Sequence, residues 1–130
     1  MKHIFFDVET NGLPHRYDVD FVEDSGNWNS VRIVQIAWQV FALGKITCER
    51  SFVINPRGFM IDEEVAKIHG ITQGRAEQEG ISIEQALDHF MKDFVGCDIF
   101  VCHNVNFDMN VVGAEMQRAG IDCNSLLLKD

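Results

Sequence analysis

The sequence predicts a mixed α/β sheet with helices on its faces. Two observations carry that prediction. Three β-rich runs come first, two of them separated by a short turn as in an antiparallel hairpin, and the rest of the chain alternates helical patterns with one further apolar strand. A third observation bounds it: 130 residues suit one domain, residues 1–130, whose core needs no disulfide staples, and no internal repeat or linker interrupts them.

Residues 2–9 open with Ile4-Phe5-Phe6 and stop at the breakers Asn11-Gly12 and Pro14, which reads as a central strand. Residues 15–30 carry neither a 2.0 nor a 3.6 period and read as a long loop, acidic from Asp18 to Asp24 and expected to be a solvated surface segment. Residues 33–41 and 45–54 are β-rich on either side of Leu43-Gly44, hence the hairpin. Asp62 is placed to cap a short helix through Ile68 that Gly70 closes. Ser82 and Gln85 form a capping-box pair, and behind them Ile83, Ala86, Leu87, Phe90, Met91 and Phe94 recur at helical intervals up to Gly96. Residues 98–102 form a brief strand. From Asn106 a last helical pattern, with Phe107, Val111 and Ala114 inward and Glu115, Gln117 and Arg118 outward, runs to Gly120.

Hydrophobic residues at 46% and charged residues at 24% exclude a disordered tail, a collagen-like fibre and a disulfide mini-protein. No apolar run approaches the roughly 20 residues of a spanning helix, and Asp7 interrupts the opening where a signal peptide would stay apolar. A soluble, cytoplasmic protein with no membrane partner is the expectation. Cys48, Cys97, Cys102 and Cys123 have no zinc-type spacing and read as buried reduced thiols. Twenty acidic against 11 basic residues give a formal charge of −9, which argues against holding nucleic acid through a basic face. Chemistry on phosphates would need positive charge from bound metal.

Asp7 and Glu9 stand two apart on the first strand, so the strand period aims both at one face. Adjacent carboxylates repel unless a cation sits between them; the alternative is that the strand has ended and both point into water. Asp108 follows the fourth strand in the first turn of a helix, where an anion is also favoured by the helix dipole alone. If the first and fourth strands are parallel neighbours, all three carboxylates converge beyond their carboxyl ends, where sites in open α/β sheets gather.

The motifs carry a resemblance. Phe5-Phe6-Asp7-Val8-Glu9-Thr10-Asn11-Gly12-Leu13-Pro14 resembles the first motif of the DEDD 3′-to-5′ exonucleases, the group that includes the proofreading subunit of bacterial DNA polymerase III. Ile68-His69-Gly70-Ile71-Thr72 is similar to the I-H-G-I-T segment of its polymerase-III-like branch, and His103-Asn104-Val105-Asn106-Phe107-Asp108 to its second motif. The resemblance implies an RNase H-like fold and hydrolysis of DNA or RNA from the 3′ end by two Mg²⁺ or Mn²⁺ ions. Asp7 would bridge both ions, Glu9 would hold one and Asp108 the other, a set of hard oxygen ligands suited to those cations. It also implies that Thr10, Gly12, Leu13, His69 and Asn104 meet the substrate, and that the partners are a single-stranded 3′ end and a polymerase or a second copy.

The family pattern continues into a fourth aspartate, with a general-base histidine five residues before it, on a further strand and helix. After Asp108 this sequence has Asp122 and Asp130 and no histidine, so the expectation is a domain whose C-terminal strand and helix are missing and whose activity is impaired. Other residues have structural alternatives. Asn11-Gly12 is a common turn pair, His69 suits a helix C-terminus, and His103 suits a solvated loop. Trp28, Trp38 and Phe59 could stack on bases, although Trp38 reads as core, and Lys92, Arg118 and Lys129 form no stripe. Two other functions share the fold: a catalytically silent module that binds nucleic acid or protein, and an RNase H-like endonuclease, which leaves the I-H-G-I-T segment unexplained.

Overall fold

The computed structural model describes residues 1–127. Strand β1 (His3–Asn11) is followed by a 3-10 turn (Ser25–Trp28), strands β2 (Arg32–Ala42) and β3 (Lys45–Val53), helices α1 (Glu63–His69), α2 (Gln73–Glu79) and α3 (Ile83–Phe94), strand β4 (Ile99–Val101), and helices α4 (Val105–Arg118) and α5 (Asn124–Leu127). The four strands form one mixed sheet in the order β3-β2-β1-β4. β1 pairs antiparallel with β2 and parallel with β4, which sets Phe5 opposite Val101. The expected hairpin and the expected parallel neighbourhood of the first and fourth strands are both present.

Alternation along β1 decides which face is covered. Ile4, Phe6 and Val8 are buried while Phe5 and Asp7 are exposed. The inward side chains meet α3, where Phe6 stands edge-on to Phe90 with ring centroids 5.1 Å apart and Trp38 does the same at 5.2 Å. Val111, Val112, Ala114 and Met116 of α4 complete this core. α1 and α2 close a smaller cluster of Val34, Ile61, Ala66, Ile71 and Ala76. Val34 reaches it because the register slips between Glu9 and Thr10: Glu9 faces Gln35, Thr10 faces Ile33, and Val34 is left as the extra residue of a bulge.

Local signals fixed the helix ends. Asp62 caps α1 through the Glu64 N–H at 2.8 Å and Gly70 closes it at φ 79°; the Ser82 and Gln85 capping box opens α3. Three expectations are corrected. α2, capped by Thr72, has no counterpart in the sequence reading because it is two turns long and carries Gly74, too little to show a period. The acidic loop is pinned rather than simply solvated: Phe21 and Trp28 are buried, the Trp28 indole N–H donates to the Val19 carbonyl at 3.1 Å, and buried Asn27 bridges the N–H and carbonyl of Arg16. Glu115 points inward, 1% exposed, and accepts from Arg32 at 3.2 Å, from the Ile33 N–H at 2.8 Å and from Arg118 at 3.1 Å. Desolvating a carboxylate is costly, and two guanidinium groups with a backbone donor offset it.

Candidate active site

β1 delivers Asp7 and Glu9 to the face of the sheet that α3 and α4 leave open, Asp7 exposed and Glu9 half-buried. A groove of about 450 Å³ crosses this face, lined by Phe5, Asp7, Ala37, Arg50, Val101 and His103 among others. β4 ends beside β1, and the chain turns into α4, whose N-cap is Asn104; its side-chain oxygen accepts from the Phe107 N–H at 3.5 Å. Asp108 falls in the first turn of α4 and is 3% exposed.

The electrostatics tie these groups together. Burial raises the Asp108 carboxyl to about 6; the Asn104 N–H, which donates to its Oδ2 at 3.4 Å, opposes this, and the charges of Asp7 and Glu9 add to it. The Cys102 thiol is pushed up to about 12 by burial and then by Asp108 and Asp7, so it stays protonated beside them. Three carboxylates from β1 and α4 therefore share one field at the carboxyl ends of two parallel strands. Oxygen-only donors of this kind fit a hard divalent cation better than zinc. Among the described residues, no three His, Cys, Asp or Glu side chains draw close enough to cage an ion. The Asp108 carboxylate turns back to accept from the Asn104 N–H at the N-terminus of its own helix.

The remaining expected site residues divide. The Thr10 hydroxyl donates to the Gly12 carbonyl at 3.5 Å. Gly12 adopts φ 87°, and a Cβ there would collide with the Ser30 carbonyl, so the turn itself requires glycine. Leu13 projects outward, 65% exposed. His69 at the end of α1 is half-buried and feels the Glu9 charge. Asn104 spends its side-chain oxygen as a helix cap. The aromatic candidates for base stacking are engaged elsewhere: Trp28 and Trp38 are buried, and the Arg32 guanidinium sits 4.6 Å from the centroid of the Phe59 ring. Asp122 accepts from the Asn124 N–H at 3.0 Å in a surface turn, while Lys129 and Asp130 lie outside the described residues.

Two contributors had not been singled out. Asn11 donates to the Met60 carbonyl at 3.1 Å and accepts from the Asp62 N–H at 2.9 Å, fastening the end of β1 to the start of α1. Arg50 brings a cation to the groove, held at 3.2 Å by Asp93. Neither has a local sequence signal, because both act on partners more than 40 residues away.

Comparison with known proteins bears on the family and the fold. The RNase_T family model, described as exonuclease, matches residues 4–127. The chain is 30% identical over 118 residues to the PolC-type DNA polymerase III of Staphylococcus epidermidis, and equally to that of Staphylococcus aureus; the match covers 91% of this chain and 7% of each polymerase. The chain thus spans a small fraction of the curated relatives it matches. Among solved structures it is similar to a product-bound exonuclease I, with a TM-score of 0.75, 19% identity, and coverage of 96% of this chain and 27% of that one. It is also similar to Escherichia coli exonuclease I in complex with a dT13 oligonucleotide, at the same TM-score and 18% identity. These likenesses show an RNase H-like fold. With the family model matching nearly its whole length, the chain belongs to the RNase_T exonuclease family, the DEDD-type 3′-to-5′ exonucleases its motifs resemble.

Proposed function

We propose that this chain hydrolyses phosphodiester bonds of single-stranded DNA from the 3′ end, with Asp7, Glu9 and Asp108 as its metal-binding carboxylates. The observation that carries the reading is Asp108: a carboxyl 3% exposed, raised to about 6, in the field of Asp7 and Glu9. A carboxyl held at that cost, within the electrostatic influence of two others, suits a cation site. Family membership and the oligonucleotide in one exonuclease I neighbour support the substrate class. The PolC-type relatives support a polymerase as partner.

Asp7 and Glu9 on β1 and Asp108 on α4 would hold Mg²⁺ or Mn²⁺ between the two elements. When bound, such a cation would offset local negative charge and would supply the Lewis acidity that stabilises oxygens at a reacting phosphorus. The chain's own residues orient the strand: Thr10 and Gly12 shape the turn at the end of β1, and Leu13 offers an exposed apolar surface beside it.

A 5′-labelled single-stranded oligonucleotide incubated with the chain and Mn²⁺ tests the proposal. The expected result is a ladder shortening from the 3′ end, abolished by chelator and by Asp7→Asn. Internal cleavage would favour the endonuclease; intact oligonucleotide that nevertheless binds would favour the silent module.

A further inference from the structure

Three aromatic rings run from the core to the surface at the first turn of α4. Trp28 is fully buried, and half-buried Phe107 packs on it with ring centroids 6.1 Å apart. Tyr17 in turn stacks on Phe107 at 6.4 Å, the ring planes 29° apart. Tyr17 is 57% exposed, so the side of its ring turned from Phe107 meets solvent. The loop that carries it is fixed through its main chain. The Ser30 hydroxyl donates to the Leu13 carbonyl at 3.3 Å, Asn27 bonds both the N–H and the carbonyl of Arg16 at 2.7 Å, and the Asn110 side chain of α4 accepts from the Phe21 N–H at 2.9 Å. A ring held in place beforehand loses little freedom when a flat ligand lands on it. Phe107 immediately precedes Asp108, so the turn that carries one of the site carboxylates also carries this platform.

The charge of the loop decides which part of a nucleic-acid strand it suits. Residues 13–30 hold one guanidinium or ammonium group, Arg16, and Asp18 pairs with it at 2.7 Å; Asp20, Glu23 and Asp24 follow. Such a surface repels phosphates, whereas every base offers an uncharged π face. We propose that Tyr17 is a base-stacking residue: one face of its ring rests on Phe107 and the other takes a nucleobase near the 3′ end. This rests on the exonuclease reading and deepens it, because it orients the strand, with its bases toward the loop of residues 13–21 and its phosphates toward the carboxylates. Stacking on a side chain requires a base taken out of its own stack, so the platform favours a single strand over a duplex end.

Tyr17 is the chain's one tyrosine, so ¹³C-labelled tyrosine reports on this ring alone. In Mg²⁺, an oligodeoxyadenylate with phosphorothioate 3′-terminal linkages to slow cleavage should move the ring resonances upfield. The same strand made abasic at its 3′-terminal positions should leave them in place. Fluorescence anisotropy then separates stacking from simple cover for Phe107. Tyr17→Leu keeps an apolar cover and should weaken binding roughly 5- to 150-fold, whereas Tyr17→Phe should stay within a few-fold. The slope of affinity against salt should be the same in Tyr17→Leu as in the native chain, because no phosphate contact is lost. On the abasic strand the two should bind alike. A strand that binds without moving the tyrosine resonances, a Tyr17→Leu chain that binds as tightly as the native one, or a loss that persists in full on the abasic strand would overturn the proposal and leave the exonuclease reading standing. A native chain that binds no strand in Mg²⁺ would overturn both.

Discussion

The Asp108 carboxyl holds its proton up to a pH of about 6, whereas the same group in an unfolded chain ionises near 3.8. Between those values the folded protein binds more protons than the unfolded one, so this residue makes stability fall as pH rises through the window. Above it the penalty reaches at most about 3 kcal/mol. Metal-free Asp108→Asn should therefore match the native chain at pH 4 and exceed it by about 1–2 kcal/mol at pH 7.5, with catalysis lost. Denaturant midpoints of both proteins at the two pH values check this. If Asp108 served only the helix dipole, the mutant would be weaker by roughly 0.3–1 kcal/mol and still active. The burial of Trp28 and Phe21 was not legible, since an acidic, aperiodic segment gives no sign that two of its aromatic rings are core.

At the scale of elements, α4 carries Asp108, and Glu115, seven residues along the same helix, fastens that helix to the sheet. Its carboxylate joins α4 to Arg32 and Ile33 of β2, and Arg118 extends the link to the carbonyls of Trp28 and Val31. Glu115→Ala leaves two guanidinium groups unpaired and should cost about 3–5 kcal/mol, measurable as a lower denaturant midpoint. A loss below about 1 kcal/mol would mean the cluster is dispensable. A second contact acts on the same helix: a Cβ on Gly113 would meet the Phe21 ring, so Gly113→Ala should lose roughly 1–2 kcal/mol where an ordinary helix position would gain stability. Glu115 was misread as outward because its β2 partners stand 82 and 83 residues away, and a charged residue at a helical position defaults to solvent. The hairpin, the α1 cap and the α3 capping box were legible because each is written within four residues of itself. The bulge at Val34, which gives α1 and α2 their seat beside Glu9, has no such local mark.

Over the whole molecule, charge and site have to be reconciled. A formal charge of −9 repels a phosphate backbone, and Arg50, the one guanidinium or ammonium lining the groove among the described residues, is already engaged by Asp93. Binding of a single-stranded oligonucleotide should thus be undetectable in chelator at physiological salt and appear with a divalent ion, as read by fluorescence anisotropy; equal binding in both would point to a basic surface elsewhere. No helix among the described residues is long and apolar enough to cross a membrane. The fold was legible because hydrophobic alternation and caps are local; of the candidate site, the motif positions of Asp7, Glu9 and Asp108 can be read from the sequence, whereas how closely their carboxylates approach cannot, because it depends on side-chain orientation across β1 and α4. The central claim is that Asp7, Glu9 and Asp108 together hold a divalent cation. Calorimetric titration of Mn²⁺ into the native chain and into Asp7→Asn tests it most directly. Saturable heat in the native chain that disappears in the mutant is the predicted result, and identical isotherms from the two would contradict the account.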